Sequence, residues 1–345
     1  MRDLHRLVAA VQRNCDIADA RHARDMTICN YLLGMREYCA WESGLPPGKA
    51  PPREELSRWL AEREARWAEL EQAPYAPLPL AGTSIGPFEA RAANRALLPE
   101  GLVYGAGYGR FGKPHFFLGR LASREEREGL EVLVADCEYA RDITGVVAAL
   151  QGETIVLRRE VLSRWLWDKY EAWSARRPEG ALEAALGHYG FERDPAAALE
   201  RMTAGEAETL VLHELGEARA GRLLGGQWES MLAALGDRRA EILARAVRDN
   251  LADCLSTLPA LLERDARPSI HFFFSNFDGM RRALFPRLVQ AYRAWAESGS
   301  TSALGEAAEA GSAHWIEQSR RILALHAAGE TLETLAAGDP PAIAL

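Results

Sequence analysis

The sequence predicts an α+β protein with a predominantly helical body and a small antiparallel β-sheet near the middle of the chain. Three observations carry this. Long proline-poor stretches occur at both ends, as in Leu4–Trp41 and Ala303–Ala328. Short β-prone runs separated by glycines cluster between residues 102 and 157. Proline-rich breaks divide the two textures.

Taken in order, Leu4–Trp41 reads as one long helix or two stacked ones, because its only interior glycine is Gly34. Leu45–Pro52 holds four prolines and makes a hinge. A charged helix with Trp59 and Trp67 follows over Glu54–Glu71, and Ala73–Gly86 reads as extended linker. Strands are expected at Leu102–Tyr108, His115–Leu121, Leu130–Ala135 and Thr154–Leu157. Helices return at 159–175, 180–189, 204–224, 228–235, 238–263, 279–297 and 303–328, and residues 336–345 read as frayed. The expected division is an N-terminal helical arm (1–72), a linker (73–100), the sheet (101–158) and a helical domain (159–345).

Composition narrows the function. With 345 residues, 48% of them hydrophobic, the chain builds a core without disulfides or metals. A net charge of −8 argues against a nucleic-acid coat. Five widely spaced cysteines make no disulfide framework and fit reduced thiols in the cytoplasm. No secretory h-region and no apolar run near 18 residues occurs, so neither export nor a membrane span is expected.

The strongest chemical pattern is on the 204–224 helix. Thr203 to Glu206 reads as a capping box, and Gly225-Gly226 as the stop. Glu206, His213 and Glu217 fall on one side of that helix, among Leu210, Gly216 and Ala220. Imidazole and carboxylate are ligands for zinc, iron and manganese. The 238–263 helix, capped by Asp237, offers Asp249 and Asp253 one turn apart. Together Glu206, His213, Glu217, Asp249 and Asp253 define a candidate divalent-metal site, with Glu214 as candidate base for a metal-bound water.

Two resemblances attach to these residues. His213-Glu214-Leu215-Gly216 resembles the start of the H-E-x-x-H helix of zincin metalloproteases, with Glu217 where the second histidine stands. Glu206 and His213, seven apart, are similar to a ligand pair of heme-oxygenase-like di-iron oxidases, which also use a later helix with histidine and carboxylate ligands. Both are confined to one or two helical turns.

Other patterns are weaker. Cys15, His22 and Cys29 recur every seven residues beside Asp25, which suits a buried seam better than a soft-metal cluster. Gly107-Tyr-Gly109-Arg-Phe-Gly112 matches G-x-G-x-x-G, but Pro114 and an aromatic run follow where a dinucleotide fold needs a helix, so a turn between antiparallel strands is expected. Asp136-Cys137-Glu138 reads as a strand end, and His271 before Phe272-Phe273-Phe274 as a core histidine or a contributor to the His213 site. Two functions stand: a metal-dependent enzyme, oxidoreductase or hydrolase, or a non-catalytic helical accessory protein. The second would bind a protein partner, or a second copy, through the arm carrying Trp41, Trp59 and Trp67.

Overall fold

A computed structural model describes residues 4–80, 83–109, 112–337 and 341–345. The chain forms two compact units, Met1–Glu171 and Ala172–Leu345.

The first unit is built on α1 (Leu4–His22), α2 (Ile28–Glu42) and α3 (Arg53–Leu70), with a short turn of 3₁₀ helix at Ala23–Asp25 between the first two. Leu7, Val11, Cys15 and Ala18 form the apolar stripe of α1. They pack against one face of a five-stranded sheet, so the expected arm is part of the unit's core. The strands are β3 (Leu102–Tyr108), β4 (Pro114–Arg127), β5 (Leu130–Arg141), β6 (Ala148–Gln151) and β7 (Thr154–Arg158), in the order β3-β4-β5-β7-β6. All neighbours are antiparallel except β5 and β7. Glu128 and Gly129 both have positive φ and close the β4–β5 hairpin. Alternation buries both faces: Leu102, Tyr104 and Ala106 face α1, whereas Val103 meets Phe117, Leu133 and Val156 behind.

The stretch 73–100, expected as a linker, is structured. It holds a hairpin of β1 (Leu78–Leu80) and β2 (Thr83–Ile85), then α4 (Ala90–Leu97). Burial of Leu78, Leu80, Ala93 and Leu97 anchors it, and the Asn94 amide pairs with both backbone groups of Tyr104 at 2.8 Å. Trp67 is buried, and Trp41 and Trp59 pack on Tyr38. The helix α5 spans Arg159–Ser174.

The second unit is helical: α6 (Ala181–Tyr189), α7 (Pro195–Leu224), α8 (Gly226–Ala234), α9 (Arg238–Ala252), α10 (Leu258–Glu263), α11 (Arg267–Ser275), α12 (Gly279–Leu284), α13 (Pro286–Ser298) and α14 (Ser302–Ala327). Five residues of π-helix, Asp253–Thr257, join α9 to α10. α7 begins well before the expected capping box. Asp194 caps it, accepting from Ala197 N at 3.1 Å, and Pro195 opens it with no N–H to satisfy. The run before Asp278 is the helix α11, opened by Pro268 in its first turn. The C-terminal residues are tied down rather than frayed: Leu345 pairs through its backbone with Leu284 and Arg287, and Ile343 is buried. Among the described residues, no helix is long and apolar enough to cross a membrane.

Candidate functional site

The site in the second unit depends on how closely α7 approaches α9 and the π-turn. Gly216 makes that approach: a β-carbon there would lie 2.3 Å from the carbonyl oxygen of Ala252. Pro259 lacks the N–H that would bond the carbonyl of Leu255. Arg219 of α7 donates to that carbonyl instead, which fastens the two helices at the π-turn.

His213 and Asp253 meet across this contact. Written with the proton on Nδ1, His213 donates to Asp253 Oδ1 at 2.8 Å. The same oxygen accepts from Thr257 Oγ1 at 3.0 Å, and Oδ2 is paired with Arg281 of α12. The Arg281 guanidinium also lies over Phe277, 5.4 Å from the ring centre. Asp253, expected as a ligand, therefore has both oxygens engaged and holds the imidazole in orientation instead. Burial opposes its charge, yet Arg281 and His213 hold its carboxyl below the usual range. Burial likewise opposes charge on His213, but Asp253, then Glu217 and Glu214, raise it to about 10.

The other imidazole nitrogen faces two acids. Nε2 lies 3.7 Å from Glu217 Oε1, and Glu217 is held at 2.7 Å by Arg248 Nη2. Ligand atoms of His213, Glu217 and Asp249, one from each, lie within 4.8 Å of one another, a trio that could hold a metal ion. Asp249 is 8% exposed; its Oδ1 makes no hydrogen bond, and Arg248 Nη2 lies 3.6 Å from it. Burial and the facing Asp249 push the Glu217 carboxyl up, against the pull of Arg248.

Of the residues expected here, His213, Glu217 and Asp249 are brought together, and Asp253 stands behind the histidine. Glu206 is not with them. Seven residues separate it from His213 by about 10 Å along the helix axis. Its Oε1 takes Tyr189 Oη at 2.7 Å and Ser269 Oγ at 3.0 Å, and burial pushes its carboxyl up. Glu214 is buried and adds its field to His213 and Arg248 without joining the ligand trio. His271 is separate as well. It stacks on His188, lies tilted against Trp295, bonds Tyr292 Oη at 2.9 Å, and burial with His188 lowers it to about 4. Sequence reasoning missed Arg281 and the inward aim of Arg248.

The remaining patterns resolve in the first unit. Cys15 is buried and donates to Phe116 O at 3.2 Å, His22 pairs with Asp25, and Cys29 is exposed on the next helix. The 3₁₀ turn breaks their common stripe. Cys137 lies within β5 rather than at its end, and burial raises its thiol pKa. Gly107 to Gly112 joins the antiparallel β3 and β4, with Gly112 at φ +70°; Arg110 and Phe111 lie outside the described residues.

A second arrangement, unforeseen in the sequence, lies in that unit. His115 Nδ1 is 3.0 Å from Asp142 Oδ2, and Asp142 is wholly buried. Asp142 Oδ1 accepts from the amides of Thr144 and Gly145. Lys113 bridges Asp19, at 2.9 Å, and Thr144.

The sequence matches the two domain models of one family of unknown function, DUF6866. The N-terminal domain covers residues 6–158 and the C-terminal domain residues 163–338. The chain belongs to this family. No curated protein and no solved structure matches it.

Proposed function

We propose that the C-terminal unit is a metal-dependent enzyme module that holds one divalent ion on His213 Nε2, Glu217 and Asp249, the ion replacing the Nε2 proton that the surrounding carboxylates favour in its absence. The observation that carries this is the meeting of one imidazole and two buried carboxylates within 4.8 Å, with a single cation, Arg248, between the two acids and an Asp249 Oδ1 that it approaches only to 3.6 Å and does not hydrogen-bond. Two buried carboxylates sharing one guanidinium leave room for a second cation or a proton. Ligands sharing an ion through bonds of about 2.1–2.2 Å stand about 3.0–3.5 Å apart at octahedral or tetrahedral angles, so side-chain rotations drawing the atoms together by roughly 1–2 Å close the set. Asp253 behind His213 is the orienting partner that metal-bound histidines use. One imidazole and two carboxylates suit iron or manganese better than structural zinc. Three protein ligands leave positions for water and substrate, the requirement for oxidative or hydrolytic chemistry. The five free cysteines, three of them buried, fit a reducing cytoplasm.

The test is elemental analysis of the purified chain, with Mn(II) titration of chelator-treated protein. The reading expects about one ion per chain, lost in His213→Ala and in Asp249→Asn while both remain folded. If wild type neither carries nor takes up an ion, the Arg248–Glu217 and Arg281–Asp253 pairs are a structural network and the reading fails.

A second reading, a protein-binding role for the N-terminal helices, rests on a different observation. Ile28, Leu32 and Leu33 of α2 are 70%, 51% and 59% exposed. A concentration-dependent mass in light scattering, abolished by Leu32→Glu, supports self-association; a constant monomer mass leaves only a foreign partner for this reading.

A further inference from the structure

The sheet of the first unit curls until its two edge strands, β3 and β6, line a single cleft of about 510 Å³. That volume lies in the range of small-molecule sites, about 300–1,000 Å³. Gly105 and the first two glycines of the G-x-G-x-x-G string create much of this space. Gly105, Gly107 and Gly109 alternate along one side of the strand and its extension. A β-carbon at Gly105 would collide with the Phe117 ring, and one at Gly109 would lie 2.5 Å from His115 Nε2. One at Gly107 would lie 3.5 Å from the Gln151 side chain of the opposite edge.

Three features of the cleft point to the same ligand. The first is aromatic: Tyr108 is mostly exposed and stacks on Phe88, with ring centres 4.9 Å apart and planes 7° from parallel. The second is His115, whose ring Asp142 holds from behind through Nδ1, so that Nε2 lies against Gly109 in the cleft wall. The third is Arg158. It is 3% exposed, its Nε is paired with Glu138, and its guanidinium lies over Phe117. Its buried Nη2 has no hydrogen-bond partner, and Arg158 is one of the residues that line the cleft. A buried donor without an acceptor is costly, and a carboxylate matches a planar guanidinium best.

We propose that this cleft is a binding site for a flat aromatic carboxylate, its ring against Phe88 and Tyr108 and its carboxylate toward Arg158 and His115. The site uses no residue of the C-terminal unit and stands independently of the metal reading.

The experiment is calorimetric or NMR titration of the full chain with 2-naphthoate, beside the neutral isostere 2-naphthamide. Saturable binding of the acid, with the amide at least about tenfold weaker, is expected for a charge-assisted contact. Two variants locate it. Gly107→Val fills the cleft at a strand position whose φ is outside the left-handed region, and Tyr108→Ser removes the aromatic lip. Each is expected to weaken 2-naphthoate about tenfold or more, with circular dichroism and melting unchanged. No saturable binding of 2-naphthoate to wild type overturns the proposal. So does equal affinity for acid and amide, or undiminished binding to a folded Gly107→Val.

Discussion

His115 in the first unit and His213 in the second are held by the same device and face different surroundings. Each directs Nδ1 at a fully buried aspartate, Asp142 at 3.0 Å and Asp253 at 2.8 Å. Behind Asp142 stand backbone amides and, at 3.9 Å, Lys113; behind Asp253 stand Arg281 and Thr257. In front, His115 meets an aromatic-walled cleft, whereas His213 meets two carboxylates at short range. An oriented imidazole is thus not itself a function. What its free nitrogen faces decides whether it recognises an organic ligand or an ion.

The largest expected effect comes from removing the support behind His213. Asp253→Ala leaves the Arg281 guanidinium and the His213 Nδ1–H buried without their shared acceptor. Losing one member of a buried pair costs about 3–5 kcal/mol, and that loss is expected in denaturant unfolding of the C-terminal unit. The milder Asp253→Asn should weaken ion binding by about 10–100-fold, as removal of an orienting partner does. A stability loss under about 1 kcal/mol in Asp253→Ala would show that the π-turn is held by packing alone, and the comparison with Asp142 would lapse.

The next effect belongs to the first unit and follows pH. Burial raises Asp19 to about 6, with Asp142 adding to the rise and Lys113 opposing it. A carboxyl raised in the folded state contributes stability that is fully present below its unfolded pKa of about 4, and that is lost as pH rises through about 6. Asp142 runs the other way. Burial opposes its charge, but His115 and Lys113 hold its carboxyl below the usual range, so its contribution is lost as the solution is acidified. Between pH of about 4 and 7 the Asp19 contribution should fall by ~2 kcal/mol. Hydrogen exchange of α1 and β5 at several pH values measures it, and Asp19→Asn should flatten the trend. A trend unchanged in Asp19→Asn would assign the slope to other groups.

A third prediction concerns the close approach at Gly216. Even the small change Gly216→Ala places a β-carbon against the Ala252 carbonyl, backbone that cannot swing aside. Overpacking of this kind costs about 1–3 kcal/mol, and it should separate His213 from Asp253 and lower ion content. Retained stability together with retained ion would mean that α7 and α9 have slack where the coordinates show none.

The sequence made some of this legible and hid the rest for identifiable reasons. The strand at Leu102–Tyr108 begins and ends as expected, because a β-prone run stands between glycines. The spacing of His213 and Glu217 put both on one face, and they do converge. The same periodicity placed Glu206 beside them, because angular position on a helix says nothing about distance along its axis. Arg281 could not be found, since it reaches Asp253 from α12, beyond a phenylalanine run whose helical state was unread. His115 and Asp142 are 27 residues apart, and their meeting depends on bulges between β4 and β5 that shift the register. The start of α7 is written as Asp194-Pro195, a cap followed by proline, and the Thr203 pattern lies within the helix.

The smallest expected effect tests that separation along α7. Glu206 is wholly buried among Tyr189, Thr209 and Ser269, with no arginine or lysine among its hydrogen-bond partners. Burial raises its carboxyl pKa, so the neutral acid is the form this environment favours. Glutamine copies the shape of that acid and keeps an acceptor for Tyr189 and Ser269. Glu206→Gln should therefore change stability by less than about 1 kcal/mol, whereas Glu206→Ala opens a cavity and strands two donors, at about 2 kcal/mol or more. Ion content should be untouched by Glu206→Gln, because Tyr189 and Ser269, which hold Glu206, lie on α6 and α11, and Glu206 stands about 10 Å from His213 along the axis of α7. Loss of the ion in Glu206→Gln, with the fold intact, would return Glu206 to the ligand set. It would mean that the two ends of this helix face act as one site.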